Sequence, residues 1–138
     1  MSVASKRMIS ADIFTSDSFI TMSHKAQSLY IQCILSADDD GLLDNMTSLM
    51  RSLEVKKPVL DELISKKFIL DLGDEIFCIK HWFINNNAIQ KDRYHPTNYK
   101  EKLDKLILKE NKSYTLKEFS DFTIETVYCD TPKKYTNV

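Results

Sequence analysis

The feature that most constrains this chain is a change in the spacing of its apolar residues near residue 68. Upstream, apolar residues recur every three or four positions over residues 24–37, 46–53 and 58–67, which is the spacing of amphipathic helices. Downstream, residues 68–80 hold two short apolar runs around a Gly-Asp turn, a pattern that favours a β-hairpin. The sequence therefore predicts three helices followed directly by a hairpin.

Residues at the ends of these segments support the helical prediction. Ser23 and Asn45 are predicted N-caps of the first two helices, because their side-chain oxygens can accept hydrogen bonds from free backbone N–H groups. Pro58 suits the first turn of the third helix, where a proline ring is tolerated. Between the first two helices, Leu42 and Leu43 follow a turn and are predicted to form a brief strand.

This order of elements predicts an α+β, mostly helical fold of the winged helix-turn-helix class. Two short helices joined by a tight turn and followed by a hairpin are typical of that class. The third helix is then the element presented to the DNA major groove, and the hairpin, with its tip at residues 72–75, is a two-stranded wing. A chain of 138 residues suits one such domain, which we assign to residues 1–110.

The remainder of the chain is predicted to add helices. Residues 99–109 have the apolar spacing of an amphipathic helix. Thr115 and Glu118 match a capping box, which predicts that a short helix begins there. We treat residues 111–138 as a C-terminal extension that holds this short helix and an uncertain tail, with a candidate strand over residues 122–128.

Composition is that of an ordinary globular domain. Two glycines and three prolines favour a compact chain, and no run approaches the roughly 18 apolar residues of a membrane span. The N-terminus lacks the apolar core of a signal peptide, so we expect a cytoplasmic protein without membrane association. The cysteines are too far apart for a zinc site and are interpreted as buried apolar residues: Cys33, Cys78 and Cys129.

The net charge of −1 hides an uneven distribution of charge along the chain. Residues 10–45 hold six acidic residues and one basic residue, a net charge of −5, whereas residues 80–112 hold eight basic and four acidic residues, a net charge of +4. Phosphate binding needs local positive charge, which the second segment offers. Lys6 and Arg7 are interpreted either as an N-terminal arm or as a loose terminus.

The sequence contains no pattern for catalysis, a metal or a cofactor. The run Asp38-Asp39-Asp40-Gly41 does not match a calcium loop, since Leu42 and Leu49 stand where ligands are required, and it is interpreted as a turn that stops a helix. The histidines lack two-ligand spacing, and no glycine-rich phosphate loop occurs. His81 is expected to close the base of the wing beside a core Trp82; the alternative is that His81 faces phosphate. We expect a protein that binds and does not catalyse.

The candidate contact residues are basic side chains around the third helix and beyond the wing. Four lysines flank that helix, two at each end, where they can meet phosphates, although lysines are common at helix ends on any surface. The cluster Lys91, Arg93 and Tyr94 could bind backbone phosphate and stack a base, or form a solvated surface with Tyr94 packed inward. The predicted DNA-binding set is Lys56, Lys57, Lys66, Lys67, Lys80, Lys91, Arg93 and Tyr94.

Several short blocks of the sequence carry a family resemblance. They are KRMIS (residues 6–10), SDSF (16–19), AQSLY (26–30), ADDDG (37–41), IKHW (79–82), KDRY (91–94) and TNY (97–99). In this order they resemble the N-terminal domain of phage replisome organizers, the DnaD-like replication-initiation proteins of phages from Gram-positive bacteria. The resemblance covers residues 6–103. It implies a winged-helix fold, binding of origin or single-stranded DNA, self-association and a role in assembling the replicative helicase loader.

Two functional hypotheses follow. The first is a phage replication-initiation protein whose winged helix binds DNA, chiefly through backbone phosphates, with host helicase-loading proteins as further partners. The alternative is a stand-alone protein-interaction or oligomerisation module, in which the acidic segment faces the basic segment of a neighbour or a basic surface of a host protein; it could inhibit a host nucleic-acid machine. Asp61 and Glu62 on the third helix favour the alternative, because groove-reading helices usually carry arginine or asparagine.

Overall fold

The structure is a computed structural model that describes residues 6–86 and 93–117. Within these residues it is a small α+β fold with seven helices and five short strands. The helices are α1 (Ala11–Phe14), α2 (Asp17–Ile20), α3 (His24–Ser36), α4 (Met46–Leu53), α5 (Lys57–Ser65), α6 (Trp82–Asn85) and α7 (Lys100–Leu103). The strands are β1 (Leu42–Leu43), β2 (Ile69–Asp71), β3 (Phe77–Ile79), β4 (Leu106–Leu108) and β5 (Tyr114–Leu116).

The three predicted helices upstream of residue 68 are confirmed as α3, α4 and α5. The Ser23 side chain caps α3 by accepting a hydrogen bond from the Ala26 N–H at 3.2 Å, as predicted. Asn45 is the N-cap residue of α4, as predicted, but its side chain makes no capping hydrogen bond to the helix. Helix α5 ends at Ser65, two residues before the predicted end, because Lys67 adopts a left-handed conformation with φ of 63°.

Strands β1, β2 and β3 form one antiparallel sheet in the order β1-β3-β2. The predicted hairpin is confirmed as β2 and β3, with Ile69 opposite Ile79 and Asp71 opposite Phe77. The predicted strand at Leu42–Leu43 is also confirmed and pairs with the other edge of β3. As the central strand, β3 is buried along its whole length and shows no alternation of buried and exposed residues.

The core lies between the helices and this sheet. A chain of aromatic contacts crosses it: the rings of Tyr30 and Phe68 lie 5.3 Å apart, and the rings of Phe68 and His81 lie 5.2 Å apart. His81 and Trp82 are both buried, so the interpretation that they close the base of the hairpin is confirmed and the alternative of a phosphate-facing His81 is wrong. Cys33 and Cys78 are buried thiols, as predicted, and Cys129 lies outside the described residues.

The helix predicted over residues 99–109 is confirmed only in its first turn, and the helix predicted to begin at Thr115 is wrong. Helix α7 spans only Lys100–Leu103, and residues 106–108 form strand β4 in place of the second half of the predicted helix. Strand β5 occupies Tyr114–Leu116, where a capping box predicted a helix, and it pairs antiparallel with β4. The turn between them is closed by Asn111, whose side chain accepts hydrogen bonds from the Ser113 N–H and hydroxyl. Glu118 lies outside the described residues.

The β4–β5 hairpin crosses the predicted boundary between the domain (residues 1–110) and the C-terminal extension (residues 111–138). Its strands pair Leu106 with Leu116 and Leu108 with Tyr114, one from each side of that division. The candidate strand at residues 122–128 lies outside the described residues. Across residues 6–86 and 93–117, no helix combines the length and the apolar character that a membrane crossing requires.

Candidate nucleic-acid interface

The N-terminal end of α5 carries the most exposed of the predicted lysines. Lys56 precedes the helix, Lys57 is its first residue, and both are exposed. The Lys57 ammonium lies 3.7 Å from the Asp61 carboxylate one turn later, and both side chains are well exposed. Such a pair in water is weak, so the Lys57 charge remains available to another anion.

The C-terminal end of α5 carries the second pair of predicted lysines, which are half-buried. The Lys66 ammonium donates a hydrogen bond to the Thr21 hydroxyl at 3.2 Å. Lys67 occupies the left-handed position that ends the helix. At about 1.5 Å per residue, this pair lies about 14 Å along the helix axis from Lys56 and Lys57.

Glu62 on α5 has a structural partner that sequence analysis did not find. Its two carboxylate oxygens accept hydrogen bonds from the Ser23 N–H at 2.9 Å and from the Ser23 hydroxyl at 2.8 Å. These bonds lower the pKa of Glu62, the backbone N–H most strongly, with a smaller contribution from the nearby Lys66 charge. The carboxylate therefore holds α5 to the start of α3, and Asp61 is the carboxylate left on the exposed side of α5.

Lys80 does not lie at the surface, and its prediction as a contact residue is wrong. Only 2% of the residue is exposed, and its ammonium donates a hydrogen bond to the Tyr114 carbonyl at 2.7 Å. The Tyr114 N–H in turn donates to the Lys80 carbonyl at 2.9 Å. Lys80 therefore fixes β5 beside the end of β3 and is not available to phosphate.

The predicted cluster beyond the hairpin lies at a different place from α5. Arg93 is exposed, Tyr94 is 40% exposed, and Lys91 lies outside the described residues. The Tyr94 hydroxyl donates to the Asp40 carboxylate, with its oxygen 2.7 and 2.9 Å from the two carboxylate oxygens. Desolvation and the Asp40 charge raise the pKa of Tyr94. The hydroxyl is thus committed to the protein while part of the residue faces outward.

Asp40 belongs to residues 38–41, which we name the acidic turn and whose three carboxylates are all buried. Asp38 accepts hydrogen bonds from the N–H groups of Asp40 and Leu42 and from the Thr97 hydroxyl. Asp40 accepts a further bond from the Thr97 N–H at 2.8 Å. The prediction that this run is a turn is confirmed, and its carboxylates also anchor the segment around Thr97.

Asp39, the middle residue of the acidic turn, anchors the N-terminus. Its carboxylate accepts bonds from the Arg7 guanidinium and the His95 N–H, both at 2.9 Å. Arg7 also donates to the Ala37 carbonyl and lies over the Trp82 ring at 5.0 Å. The N-terminal residues from Arg7 onward are therefore an anchored arm, and the alternative of a loose terminus is wrong for them.

Helix α3 separates these two basic regions. Its N-terminal end meets Glu62 of α5, and its C-terminal end leads into the acidic turn beside Tyr94. Thirteen residues at about 1.5 Å each give a separation of about 20 Å along its axis. The structure therefore brings the α5 lysines together on one element but leaves Arg93 and Tyr94 away from the C-terminal half of α5.

The tip of the β2–β3 hairpin is held by two lysines that sequence analysis did not single out. The Lys102 ammonium lies 2.6 Å from the Asp74 carboxylate, and the Lys105 ammonium donates to the Leu72 carbonyl at 2.9 Å. The Lys102 hydrogen bond lowers the pKa of Asp74. A cleft of ≈ 620 Å³ between this tip and the β4–β5 hairpin is lined by Asp71, Leu72, Gly73, Asp104, Lys105, Leu116 and Lys117.

Comparison of the chain with known proteins finds no matching family model, no matching curated protein and no matching solved structure. The resemblance to phage replisome organizers therefore stays a prediction carried by the sequence blocks.

Proposed function

We propose that this chain is a winged-helix protein that binds DNA through backbone phosphates and serves in the initiation of phage DNA replication. The observation that carries the proposal is the element order α3-β1-α4-α5-β2-β3 with the sheet order β1-β3-β2, together with exposed lysines at the start of α5. This order is typical of winged helices, whose third helix enters the major groove. The protein acts by binding, without catalysis, in the host cytoplasm.

The two lysine pairs of α5 have a spacing that suits a DNA groove. They lie about 14 Å apart along the helix, and the major groove of B-DNA is about 12 Å wide. We assign Lys56 and Lys57 the main phosphate contacts, because they are the more exposed pair. Lys66 and Lys67 add contacts on the other side. Arg93 provides a second contact apart from α5, and we propose Lys91, which lies outside the described residues, as a further phosphate contact.

The position of Glu62 removes one objection to this assignment. Two carboxylates on a groove-facing helix would repel phosphate, but hydrogen bonds from Ser23 hold the charged Glu62 carboxylate against the start of α3. Only Asp61 then remains beside the Lys57 charge. Binding through phosphates at the helix ends, with little reading of bases, suits this arrangement.

The argument from complementary charge for an interaction module is weakened by the burial of part of that charge. Three of the six carboxylates in residues 10–45 are those of the acidic turn, which are buried and hydrogen-bonded within the same chain. Lys80 of the basic segment is buried as well. The segments therefore use part of their charge internally and present less of it to a neighbour.

A fluorescence anisotropy titration with a mixed-sequence duplex of about 20 base pairs tests the proposal. The double variant Lys56→Gln/Lys57→Gln is compared with wild type from about 50 to 200 mM salt. We expect weaker binding of the double variant at every salt concentration. Its plot of log affinity against log salt should have a slope shallower by about 1.8, since each phosphate contact contributes about 0.9.

The matched control is Lys100→Gln/Lys112→Gln, which removes two exposed lysines outside the proposed contact set. It should leave both the affinity and the slope close to those of wild type. The proposal is overturned if wild type does not bind at about 50 mM salt, or if the control loses as much affinity as the α5 variant.

A further inference from the structure

The outward side of α5 carries one carboxylate without a hydrogen-bond donor. Four exposed residues lie on this side of the helix: Lys57, Pro58, Asp61 and Ser65. The Ser65 hydroxyl donates to the Glu62 carbonyl at 3.0 Å, and proline offers no polar side-chain atom. Across the part of the chain that the structure describes, the Asp61 carboxylate accepts no hydrogen bond and has a single ionic contact, to Lys57 at 3.7 Å.

Asp61 lies midway between the two lysine pairs of α5. It follows Lys57 by four residues and precedes Lys66 by five. These separations correspond to about 6 Å and about 7.5 Å along the helix axis. In the proposed complex the two pairs contact phosphates on either side of a major groove that is about 12 Å wide. A side chain midway between them faces the floor of the groove, where the edges of the base pairs are exposed.

A carboxylate at this position can distinguish one base from another, because an ionised carboxylate only accepts hydrogen bonds. In the major groove, cytosine presents its N4 amino group as a donor, whereas guanine presents two acceptors and thymine presents one acceptor and a methyl group. Adenine has a donor at N6, but the neighbouring N7 is an acceptor that repels the second carboxylate oxygen. Cytosine is therefore the base whose edge best suits Asp61.

We propose that Asp61 is a specificity-determining residue that accepts a hydrogen bond from the N4 amino group of a cytosine. The inference rests on the proposed function, because it requires α5 to lie in the major groove of DNA. Phosphates repel the Asp61 charge at every sequence, and a base that presents an acceptor also leaves the carboxylate unpaired. Asp61 thus selects its site chiefly by weakening binding to the other sequences.

Selection from a pool of duplexes of about 20 base pairs, with about ten randomised central pairs, tests the inference at about 50 mM salt. Wild type should enrich a C·G pair at one position. Fluorescence anisotropy then compares the enriched duplex with the three duplexes that carry another pair at that position. We expect about tenfold tighter binding of the C·G duplex, the size of effect typical of one correctly read base pair.

Asp61→Asn gives a result that a merely structural role of Asp61 would not produce. An asparagine side chain both donates and accepts, and it pairs with N6 and N7 of adenine. Adenine should therefore replace cytosine as the preferred base at the same position. The variant should also bind the other duplexes more tightly than wild type does, because a charge that repels phosphate is removed.

Two further variants serve as controls. Asp61→Ala removes the acceptor and should bind the four duplexes with nearly equal affinity. Asp104→Asn removes an exposed carboxylate outside α5 and should keep the preference for C·G. The Asp61 side chain is 55% exposed, so its substitutions should leave the protein folded, which thermal melts establish.

The possible outcomes separate this inference from the proposed function. The role of Asp61 is overturned if wild type enriches no C·G pair, if Asp61→Asn keeps the preference of wild type, or if Asp104→Asn loses it equally. Wild type that binds all four duplexes equally, with the salt dependence of phosphate contacts, contradicts the role of Asp61 and leaves the proposed function standing. Absence of binding to every duplex at about 50 mM salt contradicts both.

Discussion

The acidic turn and the lysines at the start of α5 are both clusters of like charge, but they lie in opposite environments. The three carboxylates of residues 38–40 are buried and each accepts hydrogen bonds from the arm or from residues 94–97. Lys56 and Lys57 are exposed, and the described part of the chain gives them one weak ion pair, to Asp61. The turn uses its charge to hold the fold, whereas the start of α5 leaves its charge to solvent or to a ligand.

This difference shows that a count of charges along the chain does not describe the surface. Buried carboxylates are tolerated when each finds several donors, because the hydrogen bonds offset part of the loss of hydration. The exposed lysines need no such partners and contribute little to stability. Substitutions in the acidic turn should therefore change stability, and substitutions at the start of α5 should change binding.

The largest effect should come from Gly41, the last residue of the acidic turn. Its φ is +87°, and a Cβ atom there would lie 2.6 Å from Cγ of the buried Trp82. Gly41→Ala combines backbone strain with an overlap that the core cannot relieve, so we expect a loss of about 3–5 kcal/mol in the free energy of unfolding. Urea denaturation followed by tryptophan fluorescence measures it.

Gly73 provides the matched control for this prediction. Its φ is +86°, but the nearest atoms to an added Cβ are the Lys102 and Lys105 ammonium nitrogens at 3.6 and 3.7 Å. Gly73→Ala carries the strain without the overlap and should lose about 1–2 kcal/mol. Equal losses in the two variants would contradict the view that the acidic turn is packed tightly on Trp82.

The second prediction compares one ion pair from each region by double-mutant cycles. Arg7 and Asp39 are buried at 2.9 Å, whereas Lys57 and Asp61 are exposed at 3.7 Å. Alanine substitutions in each pair should give a coupling energy of about 2–3 kcal/mol for Arg7–Asp39 and about 0.3 kcal/mol for Lys57–Asp61. A coupling of the same size in both cycles would remove the distinction between the two regions.

Sequence patterns predicted α3, α4, α5 and the first hairpin because those segments are long or are bounded by clear turn residues. The second hairpin was missed because three apolar residues, Leu106–Leu108, do not distinguish a helix from a strand. Their state is set by pairing with Tyr114–Leu116 across a turn in which Lys112 has φ of 70°. The spacing of apolar residues within 99–109 does not indicate that residues 114–116 will pair with this segment.

The position of the candidate lysines was predicted in part, for a related reason. The sequence pattern locates helix ends, so it placed Lys56 and Lys57 at the exposed start of α5, where the structure has them, and their contact with DNA stays a prediction. Lys80 was misplaced because its partner, the Tyr114 carbonyl, lies 34 residues away, and the partner of Glu62, Ser23, lies 39 residues away. Contacts over such separations depend on tertiary packing, which local spacing does not record.

The smallest predicted effect is the pH dependence of stability. Here Glu62 on α5 and Asp38 in the acidic turn should change the free energy of unfolding in opposite directions as the pH falls. Hydrogen bonds from Ser23 lower the pKa of Glu62 below 4.5, so its contribution is present above pH 4.5 and is lost as the pH falls. Burial raises the pKa of Asp38 above 3.8, so its contribution is present below pH 3.8 and is lost as the pH rises through the raised pKa.

Two variants separate these contributions. Between pH 6 and pH 3, Glu62→Gln should lose less free energy of unfolding than wild type, by up to about 1 kcal/mol, and Asp38→Asn should lose more. Urea denaturation at each pH unit measures both, with Asp61→Asn as the control for removing an exposed charge on α5. If both variants shift the profile in the same direction, then the carboxylate of the acidic turn is not penalised by burial. The difference in environment between the buried acidic turn and the solvent-exposed charges of α5 would then not hold for Asp38.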